Sequence, residues 1–303
     1  FTGADVTSLG EFADGDTVPV ASGGTGAATA AGARANLGAQ TLNATLTAIS
    51  DGTLGAFSHR NKIINGNFAI NQRGYVSGAA TAVGQYTFDR WKVTATSGIT
   101  FSTTANKTTV TIPAGQTIQQ VIEGLNLQTG TYVLSWEGTA QGKIGAGAYG
   151  ASGAVTGSIT GGTATTIEFN AGTVTNVQHE PGSVAQSFEH RLIGTELDLC
   201  KRYGRPWGAA AKGIWINTTT ARIAEQLDTP MREAPTVTLT TSTPLIENWS
   251  VAAYTGSGST VAVIHQTTTS IDIEIDGFTG PAVTNPLSHA YSPSNIVFLS
   301  AEL

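Results

Sequence analysis

From about residue 60 onward, apolar and polar side chains alternate in short runs separated by glycine, proline and asparagine. Residues 108–112 give the clearest case, with Val110 and Ile112 on one face and Thr109 and Thr111 on the other. That period of two is the signature of a half-buried strand. Segments 62–64, 90–94, 132–136, 165–169 and 173–177 carry the same threonine, valine, isoleucine and aromatic content. The glycine-rich stretch 141–164 breaks the pattern and reads as a long loop or strand connection. One helix is predicted over 195–203, with Thr195 as its cap, Leu197 and Cys200 on one face, and Gly204 as its stop. Alternation then resumes at 237–240, 261–265 and 271–276. Strands this short and evenly spaced predict an all-β chain built as an antiparallel β-sandwich over 59–200, ending in the helix, with a second β-rich unit over 201–303.

Residues 1–58 have a different texture. Gly23, Gly24, Gly26 and Gly32 accompany an alanine-rich run from Ala27 to Ala35, and large apolar side chains are few. A short helix over 25–37 is predicted, with Thr25 as N-cap and Gly38 as stop, although Gly32 costs about 1 kcal/mol relative to alanine. One copy of such a segment has too little apolar volume for a core. Wrapping with identical chains would supply one, so an oligomeric stem is expected, with a flexible linker as the alternative.

Composition narrows the function classes. Of 303 residues only 12% are charged, against the usual ~25%, while 40% are hydrophobic. A net charge of −6 lacks the cationic footprint that nucleic acid requires. No apolar run is long enough to span a membrane. The single cysteine, Cys200, excludes an intrachain disulfide or a four-cysteine zinc site. Residue 1 is phenylalanine and Met231 is the one methionine, so a portion of a longer polypeptide is expected.

Few constellations suggest chemistry. Gly145, Gly147 and Gly150 form a literal G-x-G-x-x-G, but the residues that follow suit no helix, so a loop is expected rather than a dinucleotide site. His179 and Glu180 beside Pro181 are expected to be exposed loop residues. No pair of histidines has helical metal-ligand spacing. Asp272, Glu274 and Asp276 share one strand face, where they suit calcium or an acid/base pair acting on a glycan; a solvated outer face is the favoured reading. The second β-rich unit holds Tyr203, Trp207, Trp215, Trp249, Tyr254 and Tyr291. Flat rings beside amides suit the apolar faces of sugars. Asn248, Trp249 and Tyr254, near the Gly256–Gly258 turn, and Trp215 are therefore the candidate ligand-binding residues. No catalytic residue, metal ligand or cofactor is assigned.

Longer matches carry a family likeness. Val18-Pro19-Val20-Ala21-Ser22-Gly23-Gly24-Thr25-Gly26-Ala27, continued by Ala33-Arg34-Ala35-Asn36-Leu37-Gly38, resembles the stem motif of tailed-bacteriophage tail fibres. Ile64-Asn65-Gly66-Asn67-Phe68, Asn71-Gln72-Arg73-Gly74 and Tyr86-Thr87-Phe88-Asp89-Arg90-Trp91 resemble the start of a jelly-roll domain of phage fibre proteins. Gln119 to Gly124, Phe188 to Gly194, Leu199 to Tyr203 and Pro230 to Thr236 continue that pattern, which departs at Glu137-Gly138-Thr139, where the family strand usually runs into lysine. The likeness covers most of residues 18–240. It implies a homotrimeric virion protein on the phage tail, outside the cell at the host surface. Its partners would be a host receptor, either a glycan or an outer-membrane protein, and other tail proteins held through an upstream region. Neither nucleic acid nor membrane insertion is implied. Reversible multivalent adhesion is the expected function, with the C-terminal β-sandwich over 201–303 as the receptor-binding tip. A glycan-cleaving depolymerase and a passive structural segment are the alternatives. Low charge further predicts attachment that varies little with salt.

Overall fold

The computed structural model describes residues 25, 27–37, 59–105, 107–208, 211–248, 252–279, 289–291 and 295–303. The chain divides into two compact units, 1–55 and 56–303. Most of the expected stem lies outside the described residues. What is described there is helix α1 (Ala30–Asn36), seven residues long, with no residue buried within the chain. Its N-cap is Thr29 rather than Thr25: the Thr29 hydroxyl accepts from the Gly32 N–H at 3.1 Å. Thr25 contributes from outside the helix, its carbonyl accepting from Asn36 Nδ2 at 3.1 Å.

The larger unit is antiparallel β throughout its described strands. Its first half comprises β1 (Lys92–Val93), β2 (Thr100–Thr104), β3 (Lys107–Ile112), β4 (Ile118–Ile122), β5 (Gly130–Glu137), β6 (Gly142–Ile144), β7 (Val155–Ile159), β8 (Thr165–Phe169) and β9 (Gly172–Pro181). They form a four-stranded sheet, β1-β4-β8-β6, and a five-stranded sheet, β2-β3-β9-β5-β7. Both sheets bury their inward side chains in one core containing Trp91, Val110, Ile118, Leu134, Trp136, Ile167 and Phe169. Helix α2 (Ile193–Lys201) follows. The second half comprises β10 (Gly204–Trp207), β11 (Lys212–Trp215), β12 (Ala221–Gln226), β13 (Thr236–Leu239), β14 (Leu245–Asn248), β15 (Ala252–Thr255), β16 (Val261–Gln266), β17 (Ser270–Ile275), β18 (His289–Tyr291) and β19 (Val297–Ser300). A three-stranded sheet, β10-β19-β13, and a seven-stranded sheet, β15-β14-β18-β11-β12-β17-β16, share a second core.

Three further expectations require correction. The segment 141–164 is not an unstructured connection, since it holds β6 and β7. Gly142 serves close packing there: a Cβ on it would lie 2.7 Å from the Phe169 ring. Helix α2 begins two residues before Thr195, with Leu192 at its N-cap and no side-chain cap bond. The carboxylate of Glu196 in its first turn instead accepts from the Asn65 N–H and pairs with Arg191 at 3.2 Å. His179 and Glu180 are buried at the end of β9 rather than exposed, because residues 60–61 and 186–189 fold over that strand. Asn61 Oδ1 accepts from the His179 N–H, and Arg60 pairs with Glu180 at 2.9 Å.

The Ile64–Phe68 motif has a structural role. Asn65 sits at φ 57°, accepts from the Ile70 N–H at 2.9 Å and donates to the Ile70 and Asp89 carbonyls. Trp91 Nε1 donates to the Asn65 carbonyl at 2.9 Å, which ties the two motifs to one point of the core.

Candidate functional site

Among the described residues, the aromatic side chains singled out in the second half do not assemble into a surface platform. Trp215 is 1% exposed, because alternation along β11 turns it into the core and leaves Ile214 and Ile216 on the outer face. This corrects its candidacy as a ligand-binding ring. Tyr254 is half-buried and packs edge-on against Trp215, with ring centroids 5.3 Å apart. Asn248 lies on β14 opposite Ala252, and Trp249 falls outside the described residues. Tyr203 and Trp207 are buried as well.

The acidic strand face is committed to structural partners. Asp272 receives two donors of the Arg222 guanidinium, at 2.6 and 3.0 Å, across the β12–β17 pair. Glu274 lies 3.8 Å from the same guanidinium. Asp276 accepts from the Thr260 N–H and hydroxyl at 2.6 and 2.9 Å. Among the described residues no group of three or more His, Cys, Asp or Glu side chains is arranged to hold a metal. The Gly145–Gly150 loop leads into β7 rather than a helix, and its Tyr149 hydroxyl donates to Glu168.

A groove of about 820 Å³ opens instead on the first β unit, within the ~300–1,000 Å³ range of small-ligand sites. Four local features build it. The β2–β3 hairpin closes with Thr104 opposite Lys107, and between them Ala105 adopts φ 48°. That tight reversal places Lys107 on the rim. At the end of β5 the register against β9 shifts between Ser135 and Glu137. Such bulges re-aim side chains. Here the irregularity coincides with Asn176 at φ 50°, a conformation asparagine tolerates better than most residues. The turn at 67–69 and the segment 190–193 complete the walls.

Glu137 is the fixed point of the groove. Its Oε1 accepts from Asn176 Nδ2 at 2.7 Å, and its Oε2 pairs with Lys107. The Lys107 ammonium, then Asn176, hold the Glu137 carboxyl below the usual carboxylate range, and His190 adds to the effect. The hydroxyls of Thr103 and Thr108 lie 3.0 Å apart beside this pair. Apolar surface comes from Ala69, Ala105 and Ile193, the last 61% exposed. His190 stacks edge-on against Phe188 with centroids 4.8 Å apart. The groove therefore offers donors, acceptors and a narrow apolar strip. Sequence reasoning missed it because its residues are scattered and individually ordinary. One signal was present: Glu137 opens the three-residue departure from the resembled pattern.

A second cleft, of about 170 Å³, lies beside Arg205, Trp207 and Asp228. Arg205, first, and Lys201 hold the Asp228 carboxyl down to about 2, so this carboxylate is engaged in an ion-pair cluster that joins α2 to β10.

No family model matches the chain, and no curated protein or solved structure matches it significantly. No helix among the described residues is long and apolar enough to cross a membrane.

Proposed function

We propose that this chain is an adhesion module of the tail-fibre type, and that the groove beside Glu137 receives a glycan of a bacterial surface. The observation that carries the reading is the groove itself: an open site of about 820 Å³ lined by hydroxyl, amide and charged groups with a strip of apolar surface. Sugars present that mixture of hydroxyls and C–H faces. The sequence likeness to fibre proteins supports the setting, and helix α1, with no buried residue of its own, suits assembly with further copies. Homotrimeric assembly would set three such grooves on one particle. Weak individual affinities then combine, because the second and third contacts are made at high effective concentration.

The test uses the full chain, fluorescently labelled, on host cells and on polysaccharide extracted from them. Thr103→Trp fills the groove from the exposed hairpin without touching the core. Labelling by the parent chain and its loss in the variant are expected, with no new reducing ends in the polysaccharide. Equal labelling by both chains would remove the groove from the reading.

A further inference from the structure

Every charged side chain on the groove wall is compensated within the chain. Arg191 commits its guanidinium to the carbonyls of Ile63 and Asn61 and to Glu196. Lys107 and Glu137 pair with each other at the rim, their side chains 45% and 55% exposed. An anionic ligand approaching Lys107 therefore meets the Glu137 charge beside it, and a cationic ligand approaching Glu137 meets Lys107. Either binds with a like charge next to itself, which is the logic of selection by repulsion.

A pair of neighbouring hydroxyls faces no such conflict, since each hydroxyl both donates and accepts. The Lys107 ammonium has three N–H donors and gives one to Glu137. Each Glu137 oxygen accepts one bond, from Asn176 or Lys107, and retains acceptor capacity. Asn176 also fixes the direction of the carboxylate before any ligand arrives. Preorganisation of this kind lowers the ordering cost of binding.

We infer, resting on the adhesion reading above, that the groove selects an uncharged glycan and that Lys107 and Glu137 bracket a vicinal diol of it. One hydroxyl accepts from the Lys107 ammonium while its neighbour donates to the Glu137 carboxylate. Ala69, Ala105 and Ile193 lie against the C–H face of the ring.

The experiment presents the full chain to an array of neutral hexose and N-acetylhexosamine oligosaccharides, each printed beside a uronate-bearing counterpart and a periodate-treated copy. Periodate cleaves vicinal diols and leaves isolated hydroxyls. Binding to neutral members, little changed between low and high salt and lost after periodate, is expected. Glu137→Gln and Lys107→Met each remove one charged hydrogen bond, so each should weaken binding about tenfold. Unchanged melting midpoints would show both variants folded. Preference for uronates, survival after periodate, or full binding by both variants while Thr103→Trp abolishes it would overturn the diol bracket and leave the groove as a glycan site. Failure of every oligosaccharide to bind, or binding that Thr103→Trp leaves intact, would overturn the groove reading and this inference together.

Discussion

His179 lies fully buried against the Tyr132 ring, with centroids 5.0 Å apart, and neither ring nitrogen makes a hydrogen bond of normal geometry. Burial pushes its pKa down to about 4, opposed by the nearby Val133 backbone and assisted by the Lys62 ammonium. Above the ordinary histidine value of ~6.5 both folded and unfolded chains hold a neutral ring, so no pH effect arises. Between ~6.5 and about 4 only the unfolded chain binds the proton, and stability falls as pH falls. The full loss across that window is about 3 kcal/mol. Urea titrations at stepped pH should reveal the slope, and His179→Leu should flatten it; an equally steep variant would place the acid sensitivity elsewhere. Gly66 sets a different constraint. A Cβ there would stand 2.2 Å from the Val177 carbonyl oxygen, whose residue also donates its N–H to the Gly66 carbonyl at 2.8 Å. Gly66→Ala must push apart two backbone segments, and a loss of about 1–3 kcal/mol in equilibrium unfolding is expected.

Elements were legible where periodicity was strong. Strands β3, β8 and β17 lie where alternation predicted them, because one face of each is buried and the pattern of two is enforced along its length. The 141–164 stretch escaped notice because glycine there answers to contacts distant in sequence, such as that between Gly142 and Phe169. Trp215 was ambiguous for a related reason: Ile214, Trp215 and Ile216 are all apolar, so only the finished sheet decides which faces inward. The groove was least legible. It depends on a register shift in β5 and on a hairpin turn, and neither leaves a regular mark in sequence. That hairpin carries a prediction of its own. Ala105 holds a left-handed conformation that costs an L-residue about 1–2 kcal/mol. Ala105→Gly should relieve part of this and stabilise the chain by about 0.5–1 kcal/mol, read as a raised melting midpoint. A lowered midpoint would mean that the alanine methyl contributes more by packing than its backbone loses by strain.

At the scale of the whole β unit, a smaller cluster of Ile64, Ile70, Cys200 and Tyr203 accompanies the two larger cores. The segment 295–303 runs from the second core to it, where Leu303 packs. Strand β19 is the centre of its sheet, paired with β10 on one side and β13 on the other, and it places Val297 and Leu299 in the second core. Directly after it, Glu302, its side chain only 5% exposed, pairs with the buried Arg90 and with Arg73. Arg90 in turn lies 3.6 Å over the Tyr203 ring and donates to the Val121 carbonyl at 2.6 Å. Tyr86 and Lys92 donate to the Leu303 carbonyl at 2.5 and 3.0 Å, and Arg232 donates to the carbonyls of Ala301 and Glu302. Glu302 is thus the charge that lets a guanidinium remain buried at the junction. Glu302→Ala strands that guanidinium without a counter-charge, and breaking a buried pair from one side typically costs about 3–5 kcal/mol. The loss is expected as a lowered melting midpoint of the whole β unit, read by calorimetry. Replacing both partners, as Arg90→Met with Glu302→Met, removes the stranded charge and should recover much of the stability lost by either change alone, giving a large coupling energy in a double-mutant cycle. Additive losses in that cycle would mean that the two side chains act independently and that packing around β19, rather than the ion pair, stabilises this junction.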